Sequence, residues 1–265
     1  MADPANGELT FIGTATVLLR LGDLTVLTDP NFLHQGEHAK LGYGLRSRRL
    51  TEPAMQPGDL PPLDLVVLSH HHGDHFDDVA AAELDKAVPI VTTPHAARKL
   101  GRQGFTAAVA LRTWESHVAA RDGTEVTVTA MPGRHAPQPL QAALPPVMGS
   151  LLEVRSGDRP PFRIYVTGDT LFVDELREIP RRHPDVDLAL VHLGGTRIAG
   201  VLLTMDADQG VRALRLVRPR TAVPIHYDDY TVFRSPLADF RAAVDGAGDL
   251  ATEVVYLGRG ETYRF

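Results

Sequence analysis

The chain predicts an α/β fold, and three observations carry that expectation. Short apolar runs rich in β-branched residues recur along its 265 residues, alanine-rich or amphipathic stretches of helical period lie between them, and both kinds fill two comparable halves without a convincing repeat. A chain of this length, 43% hydrophobic, buries a sizeable core, and no linker composition divides residues 1–265, so one domain is expected.

The first element expected is a hairpin: Leu9 to Arg20, a turn at Gly22-Asp23, and Leu24 to Thr28 returning, with Gly13 marking a bulge. Asn31 to Asp59 scatters Gly, Pro, Arg and His without periodicity. An irregular connection of that length inside a domain reads as a wall or lid over a site. Leu63 to Leu68 has the composition of a central strand covered on both faces. Asp77 to Ala87 is alanine-rich and helical, Val88 to Val91 is a strand, and Thr93-Pro94 starts a helix through Leu100 that stops at Gly101. Strands are expected near 124–130, 150–154 and 162–167, then a helix from Leu171 to Ile179 and a buried strand from Asp187 to His192. Met205 to Val217 and Pro236 to Val244 read as amphipathic helices, the second with Ser235 as its N-cap, and Thr221 to Ile225 as the strand between them. Val254 to Leu257 and Thr262 to Phe265 would close the chain as a hairpin around Gly258-Arg259-Gly260.

Charge narrows the partners. A net charge of -6 gives no broad basic surface, and Arg46-Ser47-Arg48-Arg49 is too local to change that, so nucleic acid is not an expected partner. No apolar stretch reaches transmembrane length and Met1 to Gly7 is polar without a leader pattern, so a soluble, cytoplasmic protein with no integral membrane association is expected. The absence of cysteine removes disulfides and thiolate ligands and leaves any metal chemistry to histidines and carboxylates. Oligomeric state is not legible, and a homo-oligomer stays open.

The densest chemistry is Ser69-His70-His71-His72-Gly73-Asp74-His75, an HxHxDH cluster placed where the strand Leu63 to Leu68 ends. Alternate side chains of an extended segment share a face, so His70 and His72 converge on one ion while His71 points away as a packing or hydrogen-bonding spacer. Gly73 permits a turn that carries Asp74 and His75 toward a second ion. Three adjacent histidines alone are more often a solvated loop; further ligands at later strand ends reverse that weighting. His135 follows the strand 124–130 through Pro132-Gly133-Arg134 and is the third candidate for the first ion. Asp169 follows Thr167-Gly168 and has two oxygens with which to bridge both ions. His226, after Thr221 to Ile225, completes the second group with Asp74, His75 and Asp169.

This ordered set, HxHxDH followed by His135, Asp169 and His226, resembles the metallo-β-lactamase superfamily from about Leu9 to the C-terminus. Phe11 to Leu18, Leu27-Thr28-Asp29-Pro30 and Leu60-Pro61-Pro62-Leu63-Asp64 are similar to one branch of it, containing N-acyl phosphatidylethanolamine phospholipase D and the L-ascorbate-6-phosphate lactonases. The resemblance implies a four-layer αββα sandwich with two divalent ions at one edge between the sheets. Zinc suits the imidazoles best; manganese or iron are the alternatives, and the lactonases keep manganese open. Oxygen-reducing diiron members carry Glu where this chain has His72, which favours hydrolysis. A hydroxide bridging two close cations is the expected nucleophile, and Asp74 would both bind the second ion and orient that hydroxide or take its proton.

Three functions remain open at this level. The leading one is a metal-dependent hydrolase cleaving a small-molecule ester, lactone or cyclic amide. The second is a phosphodiesterase of the phospholipase D-like kind, and the third a non-catalytic metal- or ligand-binding module, against which the intact ligand set counts. Around the ligands, Asp29 is expected to fix an imidazole from behind or to serve as a turn residue before Pro30. His192 would face substrate or cap a buried strand. Tyr227 and Asp228 would touch substrate, hold His226, or lie in a surface loop. Specificity is expected to reside in the Asn31 to Asp59 segment and other rim residues.

Overall fold

A computed structural model describes residues 7–157 and 160–265; the polar Met1 to Asn6, on which the absence of a leader pattern was read, lies outside the described residues. The chain opens with β1 (Glu8–Gly13), β2 (Thr16–Leu21) and β3 (Leu24–Thr28), an antiparallel meander. The expected single strand from Leu9 to Arg20 is therefore two, because Thr14 turns at φ 54°. The bulge at Gly13 is present as a register shift between Phe11 and Gly13. Within Asn31 to Asp59 stand β4 (His38–Gly42) and β5 (Leu45–Arg48), a short hairpin in which Ala39 and Leu41 alternate inward along β4 while β5 buries only Ser47.

Next come β6 (Leu65–Val67), α1 (Asp78–Glu83), β7 (Ile90–Thr92), α2 (Pro94–Arg102) and β8 (Ala108–Ala110). Asp77 caps α1 by accepting from the Ala80 amide, and Thr93 caps α2 from Ala96. Helix α1 ends before Leu84, short of the expected Ala87; α2 runs through Gly101, and the left-handed residue beyond it is Gly104 at φ 91°. An antiparallel run follows: β9 (Ser116–Arg121), β10 (Thr124–Met131), β11 (Gly149–Ser156) and β12 (Phe162–Val166).

The expected helix Leu171 to Ile179 is replaced by a 3-10 turn at Asp174–Arg177 leading into α3 (Glu178–Arg182). The stretch before the turn is tied down as loop, Leu171 N to the Arg134 carbonyl at 2.8 Å and Phe172 N to Gln209 Oε1 at 2.7 Å, with Val173 extended. Then come β13 (Leu188–His192), the small pair β14 (Arg197–Ile198) and β15 (Val201–Leu202), α4 (Ala207–Val217), β16 (Thr221–Ile225), α5 (Leu237–Asp245), β17 (Glu253–Val254) and β18 (Thr262–Arg264). Ser235 does not cap α5; its hydroxyl accepts from Ala207 N at 3.0 Å at the start of α4, and Pro236 is the N-cap. Nor do the last two strands form a hairpin. β17 pairs parallel with β16 and β18 antiparallel with β1, so the C-terminal segment crosses from one sheet to the other.

Two seven-stranded sheets result, ordered β18-β1-β2-β3-β6-β7-β8 and β17-β16-β13-β12-β11-β10-β9. Leu9, Phe11, Leu19 and Val67 of the first pack against Val126, Leu152, Ile164 and Leu190 of the second in one buried core. The outer faces are covered too. Leu27, Val66 and Ile90 lie under Ala80, Ala96 and Leu100 of α1 and α2, and Val191 and Ala222 under Val211, Leu214 and Phe240 of α4 and α5. Helix, sheet, sheet, helix is the four-layer order expected. In it β3, β6 and β7 run parallel, as do β12, β13 and β16, so each set delivers its C-terminal ends to one edge.

Candidate metal centre

Asp29 follows β3, His70 to His75 follow β6, His135 follows β10, Asp169 follows β12, His192 ends β13 and His226 follows β16. Strand geometry alone thus gathers residues spread over most of the sequence. Gly73 serves by close approach: a Cβ there would stand 2.5 Å from Lys40 N, against the backbone of β4. Gly168 serves by conformation, at φ 62°, with Met148 O 2.6 Å from where a Cβ would be.

Three groups of donor atoms form, each lying within 4.8 Å of one another: a first of His70, His72 and His135, a second of Asp74, His75, Asp169 and His226, and a third of Asp29, His75 and His192 that shares His75 with the second. His72 is half-buried and the other eight residues are buried. The first two groups abut, since the His70 and His75 rings are 4.2 Å apart. In the first, His70 Nε2 faces His72 Nδ1 at 2.9 Å. In the second, Asp169 Oδ2 lies 3.3 Å from His75 Nε2 and its Oδ1 3.3 Å from His226 Nδ1, while Asp74 Oδ2 is 3.6 Å from His226 Nε2. By distance Asp169 therefore stands with the second group, and Thr204 Oγ1 donates to it at 3.0 Å.

Neighbours and burial set the protonation of each group in the cluster. Burial, then the neighbouring histidines, pushes His70 well below the usual imidazole range; burial and His135 bring His72 to about 3. Both are held neutral, the form that binds a cation. Burial would lower His75 as well, but Asp169, Asp29 and Asp74 outweigh it and raise it well above its ordinary value. Burial likewise opposes ionisation of Asp169, and His226 and His75 overcome it and hold the carboxyl well down. Asp74 Oδ1, His75 Nε2, Asp169 Oδ1, His192 Nε2 and both ring nitrogens of His226 are buried with no hydrogen-bond partner. Orphaned polar atoms of this kind cost free energy unless something binds them, and these converge with the geometry and chemistry of a cation site. The residues fit a metal.

Of the weaker candidates, Asp29 lies behind the histidines. Its Oδ1 accepts from Ser69 N at 2.7 Å and Ser69 Oγ at 2.9 Å, and its Oδ2 is 3.4 Å from His75 Nδ1. His192 is wholly buried with Nε2 3.5 Å from the same Oδ2. Tyr227 turns to the inter-sheet core, its ring 6.2 Å from Phe11 and its hydroxyl donating to Leu257 O, and Asp228 is exposed and accepts from Leu237 N at the start of α5. The carboxylate that braces this loop is the next one. Asp229 accepts from Thr14 N at 2.9 Å, from Arg259 and from Thr51, while His226 N donates to Thr14 O at 2.6 Å. Sequence reasoning also missed Gln141, whose Oε1 accepts the amides of His135 and Ala136 at 2.7 and 2.9 Å, and Asn31, whose amide holds Gly73 O at 2.9 Å. None of these carries a motif; each is visible only once the fold brings it near.

A cleft of about 1160 Å³ opens beside His72. The β4–β5 hairpin from His38 to Tyr43 forms one wall, as expected of that segment, and Trp114, Arg134 and Gln141 to Pro146 form the other. Tyr43 donates to Ala143 O between them. His71 meets Gln103 at 3.1 Å and rests on Phe76, in keeping with a spacer.

A paired-sheet sandwich with clustered histidines and carboxylates along one edge is the metallo-β-lactamase architecture. Residues 25–227 match the family model described as the beta-lactamase superfamily domain, and the chain belongs to that family, a superfamily of metal-dependent hydrolases. A UPF0173 metal-dependent hydrolase of Archaeoglobus fulgidus is 30% identical over 266 residues, covering 97% of this chain and 99% of that protein. The N-acyl-phosphatidylethanolamine-hydrolyzing phospholipase D 1 of Caenorhabditis elegans is 27% identical, covering 96% and 74% respectively. Among solved structures, an isothiocyanate hydrolase from Delia radicum gut bacteria shares the fold with a TM-score of 0.80 at 22% identity, over 97% of this chain and 99% of that one. Among the described residues no helix is long and apolar enough to cross a membrane.

Proposed function

We propose that this chain is a binuclear hydrolase of small esters, lactones or cyclic amides. The observation that carries the reading is the pair of adjoining donor groups with their orphaned buried atoms. His70, His72 and His135 would hold one ion, and Asp74, His75 and His226 the other, with Asp169 offered to both. Two divalent ions, zinc by preference with manganese or iron as alternatives, would supply a hydroxide nucleophile near neutral pH and polarise the oxygen under attack. Asp74 is assigned the proton of the attacking water, because its Oδ1 has no partner within the chain. The cleft walls would orient the substrate and restrict water. The intact set of candidate ligands counts against a non-catalytic metal- or ligand-binding module.

Charge on the walls favours carbonyl over phosphoryl substrates. Lys40 is paired with Asp78 at 2.5 Å and Arg134 with Glu175 at 2.7 Å, which leaves Lys99 as the wall's remaining lysine for an anion. A phosphodiester is the second reading, supported by the similarity to the worm phospholipase D. One panel separates them: chromogenic lactones, esters and bis(p-nitrophenyl) phosphate, assayed with zinc and with manganese. Turnover confined to carbonyl substrates is expected; turnover confined to the phosphodiester would overturn that choice.

A further inference from the structure

His192 sits at the end of β13 with no exposed surface, and burying an imidazole costs free energy that an aliphatic side chain of similar size would not. Its surroundings say what it is for. Nε2 faces Asp29 Oδ2 at 3.5 Å, and Nδ1 faces Thr167 Oγ1 at 3.2 Å, while its own backbone N–H donates to that hydroxyl at 3.0 Å. The ring lies nearly parallel to His75, with centroids 5.9 Å apart, and 5.4 Å from that of His226. One side chain thus meets the carboxylate behind His75, the residue two before Asp169, and the ring of His226, which are the supports of three of the four donors in the second group.

The tautomer follows from electrostatics. A bare nitrogen lone pair set against Asp29 would repel it, so Nε2 carries the hydrogen and turns it toward Oδ2 across a 3.5 Å contact too loose to count as a hydrogen bond, and Nδ1 is left to accept from the Thr167 hydroxyl in place of the Gly168 carbonyl 3.1 Å from that hydroxyl. Asp29 Oδ1 is already saturated by Ser69, which leaves Oδ2 shared between His75 and His192. Loss of the His192 contact would leave Asp29 tethered through Oδ1 alone and its Oδ2 facing only His75. His192 reaches the first group only at two removes, through Asp29 and the Ser69 hydroxyl that stands 3.1 Å from His70, while His135 is held separately by Leu203 at 2.9 Å.

From this we infer that His192 is a positioning residue for the second ion alone: it never binds that ion, and it sets its affinity by fixing Asp29 and, through it, His75. The inference rests on the two-ion reading above. Metal titration of the metal-free chain tests it with zinc, in wild type and in His192→Leu, His192→Gln and His192→Asn. A glutamine amide reaches the place of Nε2, whereas an asparagine amide reaches only that of Nδ1. The second ion should bind about 10- to 100-fold more weakly in the leucine and asparagine variants and near wild type in glutamine, with the first ion unchanged in all. If the leucine variant does not fold, the asparagine and glutamine pair decides. Equal second-ion affinity in those two, or equal weakening of both ions, overturns the inference, as does a third ion in wild type that the leucine variant loses. Fewer than two ions in wild type overturns the proposed function itself, whatever the variants do.

Discussion

His135 Nδ1 stands 2.9 Å from the carbonyl oxygen of Leu203. A carbonyl only accepts, so Nδ1 carries the hydrogen and Nε2 is left with the lone pair that faces His70 and His72. The residues between β15 and α4 thereby set the tautomer of a ligand 68 positions earlier in the chain.

The same loop is held from its other side. Gln141 accepts both the His135 and Ala136 amides, so Gln141→Leu should free the loop and weaken the first ion about 10-fold while leaving the second unchanged. Isothermal titration of metal-free protein reads both affinities, and an unaltered first ion would show that the contact positions nothing.

Asp169 touches His75 and His226 through different oxygens. Asp169→Ala should lower kcat/KM by at least about 100-fold, because the second ion loses a charged donor and the two imidazoles lose their common acceptor. The urea midpoint of the metal-free variant should fall as well, since a carboxyl held well down despite burial, by His226 and His75, contributes stability that alanine loses, so folding of the variant is checked before its rate is read. A rate within threefold of wild type would mean that the centre lies elsewhere.

Gly168 precedes it at φ 62°, with Met148 O 2.6 Å from the position of a Cβ. Gly168→Ala combines a left-handed alanine with a backbone clash and should cost about 2 kcal/mol or more. Thermal unfolding measures it. Asp169 should be displaced as well, so metal binding should weaken along with stability.

Acid should reveal Asp29. Burial alone would raise its carboxyl, but His75 and His192 hold it at about 2, below the ordinary 3.8. A depressed carboxylate contributes stability that is complete above the unfolded value and disappears as pH falls toward the folded one, here about 2 kcal/mol between roughly pH 4 and 2. Asp29→Asn cannot titrate. The difference in urea stability between metal-free wild type and this variant should shrink as pH falls from about 4 toward 2; a difference independent of pH across that window would contradict the ionised, histidine-held carboxylate.

Strand ends explain what was legible in the sequence. Leu65 to Val67, Thr124 to Met131, Phe162 to Val166 and Thr221 to Ile225 are apolar runs that stop at a ligand, so run and ligand could be read together. Partner choice could not. Alternation in Val254 to Leu257 and Thr262 to Phe265 is compatible with a hairpin, and only the folded sheets show that these segments join different ones. Ser235 has the residue type of an N-cap, yet it caps a helix that begins 28 residues earlier. In Asp228-Asp229 two identical side chains adjoin, and burial assigned the bracing role to the second. In the β4–β5 hairpin the alternation is confined to Ala39 and Leu41 of β4, and β5 buries only Ser47, so the period is too short to stand out among the glycines and prolines around it.

The central claim is a shared two-ion centre, and its most direct test is elemental analysis of purified, fully folded protein alongside the activity of the same sample. Close to two transition-metal ions per chain, with turnover lost on chelation and regained on adding zinc or manganese, is the predicted result. A folded chain that holds no metal and still turns over its substrate would contradict it.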